Sequence, residues 1–146
     1  MTDDDWMRRA IDLSRLCPPA EGAYSVGAIL VDAAGQEIAR GYSRESDPHV
    51  HAEESAFVKV AGEDVPRLAG ATLYSTLEPC SERRSSPVTC TEHVLASPVR
   101  RVVIAWREPT RFVDCVGVER LREAGVEVLE LVGLADEARG VNAHLL

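Results

Sequence analysis

His51-Ala52-Glu53-Glu54 and Glu78-Pro79-Cys80 are the two segments on which the reading of this chain turns, with Cys90 following Cys80 after nine intervening residues. Together they offer one imidazole, two thiols and a carboxylate two residues past the imidazole. Two cysteines and one histidine make a three-ligand zinc set with a coordination position left open. That is the pattern of a catalytic zinc, since a structural zinc normally takes a fourth protein ligand. Glu53 is then spare, and can move protons for water at the open position.

The flanking sequence supplies the frame. Residues 72–77 are rich in strand formers and end at Pro79, so Cys80 lies just past a strand. His51 opens a helix to about Ala61, where Gly62 stops it. Ser86-Pro87 reads as an N-cap followed by Pro in the first helical position, starting a helix to about Ala96 with Cys90 in its first turn or so. Three element ends thus supply three ligands, as α/β proteins commonly arrange their sites.

Outward from these segments the pattern continues. Residues 4–16 carry a helical apolar stripe of Trp6, Ala10, Leu13 and Leu16, closed by Pro18-Pro19. The apolar run 26–31, the turn Ala33-Ala34-Gly35 and the return 36–42 predict a hairpin. Residues 43–50, with Asp47-Pro48, read as a loop. Residues 101–106 form a fourth strand, 116–124 a helix ending at Gly125, 126–131 a fifth strand, and 135–146 a terminal helix. A hairpin followed by alternating helices and strands predicts an α/β fold with a mixed sheet covered on both faces. The last two strands, joined through a helix, should be parallel.

At 146 residues the chain is one domain's worth, 1–146, with 45% hydrophobic and 27% charged residues. Its net charge of −8 is poor for general attraction to phosphate backbones and argues against a nucleic-acid partner. No apolar stretch approaches the ~20 residues that span a bilayer, so no membrane partner is expected. The N-terminus, Met1-Thr2-Asp3-Asp4-Asp5, has no secretory pattern. The expected location is the cytoplasm, where cysteines are metal-bound or free rather than disulfide-bonded. Cys17 and Cys115 read as packed or idle thiols.

Helical positions i and i+2 do not share a face. His51 and Glu53 can therefore converge only on a point off the helix's N-terminal end. There the partial positive charge favours thiolate or hydroxide. Glu54 points elsewhere, solvated or within the helix's own electrostatics. His49 is the competing imidazole, but no carboxylate stands two residues after it. His51 is preferred as ligand, and His49 is left as a loop residue that could line a pocket.

With these residues in view, the chain resembles the cytidine deaminase-like superfamily, whose signature has an H-x-E followed by P-C in this order. More narrowly, it resembles the deaminase domain of the bifunctional riboflavin-biosynthesis deaminase/reductase. Val26-Gly27-Ala28-Ile29-Leu30-Val31 is similar to that family's V-G-A-V-I-V, Gly41-Tyr42 to its G-Y, and Thr76-Leu77-Glu78-Pro79-Cys80-Ser81 to its T-L-E-P-C-S. Arg100-Arg101-Val102-Val103-Ile104, Glu108-Pro109 and Leu121-Arg122-Glu123-Ala124-Gly125-Val126 also fit. The long gap between cysteines matches that branch; cytidine, dCMP and tRNA adenosine deaminases have P-C-x-x-C.

The resemblance implies a three-layer α-β-α sandwich on a five-stranded mixed sheet. It implies zinc held by His51, Cys80 and Cys90, with Glu53 as general acid/base. The activity implied is hydrolytic deamination of a small aminated heterocycle, foremost the riboflavin-pathway diaminopyrimidine intermediate. Ser25, in the stretch that replaces the family's N-P pair, is carried over as substrate-contacting. So are Arg83 and Arg84, which with Glu82 replace its H-H-G. The arginines would hold an anionic or carbonyl-bearing part of the substrate, against the bland reading of solvated loop residues paired with Glu82. The gap between the cysteines and the loop before His51 are each one residue longer than usual, and a deaminase domain without the reductase is expected. These departures leave open a relative acting on another nucleobase-like metabolite in specialised metabolism. A non-catalytic zinc module and a nucleic-acid deaminase are the readings from other classes. Glu53 argues against the first, and charge and cysteine spacing against the second. By resemblance a homodimer or larger assembly is expected.

Overall fold

The computed structural model describes residues 1–81, 88–107 and 116–146. The chain runs α1 (Asp3–Ser14), β1 (Gly27–Val31), β2 (Glu37–Tyr42), α2 (Ala52–Val58), a 3₁₀ helix (Gly62–Leu68), β3 (Thr72–Leu77), α3 (Cys90–Ala96), β4 (Arg101–Trp106), α4 (Gly117–Glu123), β5 (Glu127–Glu130) and α5 (Ala135–Gly140). The five strands form one sheet in the order β2-β1-β3-β4-β5. β1 is antiparallel to both β2 and β3, and β3, β4 and β5 run parallel. This is the expected mixed sheet, with the last two strands parallel.

The central strands are buried on both faces. Every residue of β1 is buried, as are all but the first of β3 and β4. That is why their sequences are continuous apolar runs and not alternating ones. The faces are told apart on β3, where successive side chains point opposite ways. Tyr74 stacks on Trp6 of α1 with centroids 6.3 Å apart. Ser75 bonds Glu53 of α2. α1 and α5 pack on the first face; α2, α3 and α4 occupy the second.

Four helix boundaries differ from the sequence reading by more than a residue. α1 closes at Ser14, before the prolines, because the Ser14 hydroxyl donates to the Ile11 carbonyl at 2.5 Å and competes with the helix ladder. α2 ends at Val58, and the following 3₁₀ helix, which contains Pro66, was not foreseen. α3 begins at Cys90 and not at Pro87: Thr89 is its N-cap, accepting from the Glu92 amide at 3.2 Å. Residues Ser86 and Pro87 lie outside the described residues. The terminal helix is shorter than expected, α5 being followed by a 3₁₀ turn at Ala143–Leu145. Among the described residues no helix is long and apolar enough to cross a membrane.

Candidate metal centre

His51 is the N-cap of α2, with extended backbone at φ −89° and ψ 158°. Glu53 lies within the helix's first turn. Because His51 stands outside the helical spiral, the i, i+2 spacing no longer forces the two side chains apart. Both reach the space off the helix end. The His51 amide donates to Glu54 Oε1 at 3.3 Å, so Glu54 serves the helix terminus, as its position implied.

Cys80 follows β3, and Cys90 is the first residue of α3. The His51 Nδ1 lies 3.5 Å from Cys80 Sγ and 3.3 Å from Cys90 Sγ. All three donor atoms fall within 4.8 Å of one another. Around a tetrahedral zinc with Zn–S near 2.3 Å and Zn–N near 2.0 Å, sulfur and nitrogen stand about 3.5 Å apart. The observed separations fit that geometry, and the N/S donor set fits the metal.

The electrostatics agree. A hydrogen bond from Cys90 holds the Cys80 thiol well below the ordinary thiol range, against the effect of burial, with His51 adding to the lowering. The shared proton and burial push Cys90 the other way. A thiolate is therefore already favoured in the cluster, and a metal would replace the shared proton. Cys80 Sγ also accepts the Cys90 amide at 3.3 Å.

Glu53 is 4% exposed. Burial pushes its carboxyl above the ordinary carboxylate range; a hydrogen bond with Cys90 opposes this, while the charge on Cys80 reinforces it. The Ser75 hydroxyl lies 2.9 Å from Glu53 Oε1 and 2.8 Å from the Leu77 carbonyl, so its single proton is shared between two acceptors while its oxygen sits against the carboxyl.

The turn carrying Cys80 is clamped by the elements around it. Glu78 Oε2 accepts the Val118 amide at 3.0 Å, and the Ser81 hydroxyl accepts the Val116 amide at 2.9 Å. Thr91 Oγ1 donates to the Pro79 carbonyl at 3.2 Å. Gly117 sits against that same carbonyl so closely that a Cβ would come within 2.0 Å of it. The sequence reading assigns no role to Ser75, Glu78, Thr91 or Gly117. A small polar residue buried in an apolar strand, and a glycine opening a helix, were the available signals.

Ser25 stands apart from this cluster among the described contacts. Its amide donates to Asn142 Oδ1 at 2.6 Å, its carbonyl accepts from Asn142 Nδ2 at 3.1 Å, and its hydroxyl accepts from Arg44 at 2.9 Å. His49 is exposed, with its amide on Asp47 Oδ1. Cys17 is partly buried, its thiol 3.5 Å from the Val26 carbonyl. Arg83, Arg84 and Cys115 lie outside the described residues.

A family model described as the cytidine and deoxycytidylate deaminase zinc-binding region matches residues 1–106. The chain is 38% identical over 135 residues to the diaminohydroxyphosphoribosylamino-pyrimidine deaminase of Schizosaccharomyces pombe, covering 92% of this chain and 33% of that protein. It is 38% identical over 118 residues to the riboflavin biosynthesis protein RibD of Aquifex aeolicus, covering 81% and 31%. The solved structure of Acinetobacter baumannii RibD superposes with a TM-score of 0.78 at 32% identity, over 99% of this chain and 39% of that one. The chain thus spans about a third of the length of the curated relatives it matches.

Proposed function

The chain belongs to the cytidine and deoxycytidylate deaminase zinc-binding family, and from that premise we propose that residues 1–146 act as one hydrolytic deaminase domain whose substrate is a small aminated pyrimidine. The riboflavin-pathway diaminopyrimidine intermediate is the foremost candidate, supported by the names of the S. pombe and A. aeolicus relatives. The observation that carries the reading is Glu53: a buried carboxylate with raised proton affinity, oriented by Ser75 beside a converged His-Cys-Cys set.

In this reading His51, Cys80 and Cys90 hold zinc. Bound there, zinc would supply Lewis acidity and a lowered pKa for water at the open position. Glu53 moves the protons. It accepts a proton from the attacking water at a carboxylate oxygen and delivers it to the ring nitrogen beside the amino-bearing carbon; it then takes the remaining proton from the oxygen now bonded to that carbon and delivers it to the amine as the C–N bond breaks and ammonia leaves. A carboxyl whose proton affinity is raised by burial is suited to both taking and giving. Ser75 keeps Oε1 in place.

Ser25, Arg83 and Arg84 are proposed to contact the substrate, the arginines through a phosphate or similar anion that a guanidinium can hold by two parallel bonds. Arg84→Ala is accordingly expected to raise KM for a phosphorylated substrate with zinc content unchanged, and to do much less to the dephosphorylated compound. Equal effects on both would reduce it to loop structure. We place the enzyme in the cytoplasm, where cysteine thiolates are kept available as metal ligands. A homodimer or larger assembly rests on the family resemblance.

The direct test is ammonia release by the zinc-loaded protein from the riboflavin intermediate, other aminopyrimidines, aminopurines and nucleosides. Turnover of the intermediate supports the full reading. Turnover of a different heterocycle moves the substrate and keeps the chemistry. Zinc binding without any turnover overturns the reading.

A further inference from the structure

Trp106 is the last residue of β4 and is 7% exposed, yet its indole Nε1–H meets no hydrogen-bond acceptor among the described residues. A buried N–H without an acceptor is destabilising, so a native structure keeps one only for a reason. Its place suggests the reason. In the parallel register of β3 and β4, Ser75 lies beside Ile104 and Leu77 beside Trp106. Side chains two apart on a strand share a face. Trp106 therefore lies on the face where Ser75 holds Glu53, one step nearer the strand ends. The Trp106 carbonyl accepts the Glu78 amide at 3.0 Å, which ties it to the turn leading into Cys80. The indole is held edge-on by Tyr24, with centroids 5.6 Å apart and planes at 76°, so its N–H has a fixed direction. In α/β sheets the carboxyl ends of parallel strands are where ligands bind.

Resting on the deaminase reading, we propose that the Trp106 indole N–H is a specificity determinant that donates to a ring carbonyl oxygen of the heterocyclic substrate. An indole can only donate, so its complement must be an acceptor. An aminated pyrimidinone offers two kinds. The ring nitrogen beside the amine takes a proton during turnover and ceases to accept. The ring carbonyl keeps its lone pairs from substrate to product. A donor held rigidly by aromatic packing suits that unchanging partner and discriminates against rings that lack it.

The chain has two tryptophans, so an indole ¹H–¹⁵N spectrum of the zinc-loaded protein holds two signals, assignable with Trp6→Phe. Titration with the deaminated pyrimidinone product should shift the Trp106 signal downfield and slow its exchange with solvent, leaving Trp6 still. An analogue without the ring oxo group should not. In kinetics, Trp106→Phe should lower kcat/KM for the pyrimidinone about tenfold, mainly through KM, and change that for the oxo-free analogue within about twofold. A Trp106 signal unmoved by saturating product overturns the proposal. So does one that moves equally with both compounds, or a Trp106→Phe loss that is equal for both. Should Trp106→Phe fail to fold, the wild-type titration decides alone. Zinc binding with no turnover of any heterocycle would instead bring down the deaminase reading, and this inference with it.

Discussion

At the residue scale, the site depends on where two neighbours stand relative to one helix end. His51 caps α2 from outside and Glu53 enters its first turn, so both side chains reach the same space. Glu53 is not among the converged metal-binding donors. Glu53→Gln should therefore leave zinc stoichiometry and the melting temperature near those of the parent. It should lower kcat by at least ~10²- to 10⁴-fold, the range for loss of one proton-transfer group. Metal analysis and ammonia release on the same sample check this, and near-native turnover would reassign the base. The convergence of His51, Cys80 and Cys90, with Glu53 beside them, could be read from the chain because a metal site demands particular side chains in particular order. Ser75 could not. Its hydroxyl gains meaning only from the α2 packing that brings Glu53 to 2.9 Å, and no local spacing encodes a contact across 22 residues.

At the element scale, three units meet at the Cys80 turn: the end of β3, the start of α3 and the start of α4. The five strands followed from apolar runs and turn residues, since a buried strand must be apolar on both faces; their order in the sheet did not. The start of α3 was misjudged by a local rule. Ser86-Pro87 satisfies N-cap statistics, but Thr89 wins by placing Cys90 against Cys80. Gly117 shows the same dependence on tertiary approach. A Cβ at this position would meet the Pro79 carbonyl at 2.0 Å and Thr91 Oγ1 at 3.0 Å. Gly117→Ala must push α4 off the turn, loosening the Val118–Glu78 and Val116–Ser81 bonds. A stability loss of about 1–3 kcal/mol is expected, as for overpacking elsewhere. Zinc affinity should weaken as well, because the turn carries a ligand. Denaturant midpoints and competition with a zinc chelator check the two effects. Gly62, with nothing within 4 Å of its Cβ position, is the control that should change neither.

At the scale of the whole molecule, α1 lies across the sheet face opposite the metal centre and is fastened at one end by charge. Asp3 Oδ2 lies 2.7 Å from Arg101 of β4, and Asp3 Oδ1 accepts from the Tyr74 hydroxyl of β3 at 2.5 Å. The hydrogen bond from Arg101 is the largest influence on Asp3 and holds its carboxyl below the ordinary 3.8. Burial, with help from Asp3, pushes Tyr74 up to about 12. The signs set the pH range of the fastening. A depressed carboxyl pKa gives stability that is present above the unfolded value and lost as pH falls through the folded one. A raised tyrosine pKa gives stability that is present below the unfolded value of 10.0 and lost as pH climbs toward 12. Asp3→Asn removes the charge. The wild type should then be the more stable by up to about 1 kcal/mol, a modest figure because both partners are nearly a third exposed and screened by solvent. That difference should stay level between about pH 5 and pH 8 and shrink as the pH falls below the ordinary 3.8 and on through the lower value of the folded wild type, where its carboxyl is itself protonated. Urea midpoints of the two proteins across this range, at constant ionic strength, give the comparison. A difference that persists undiminished at low pH would mean that Asp3 acts through contacts that do not need its charge, such as the bond from the Tyr74 hydroxyl, and not through its ion pair with Arg101.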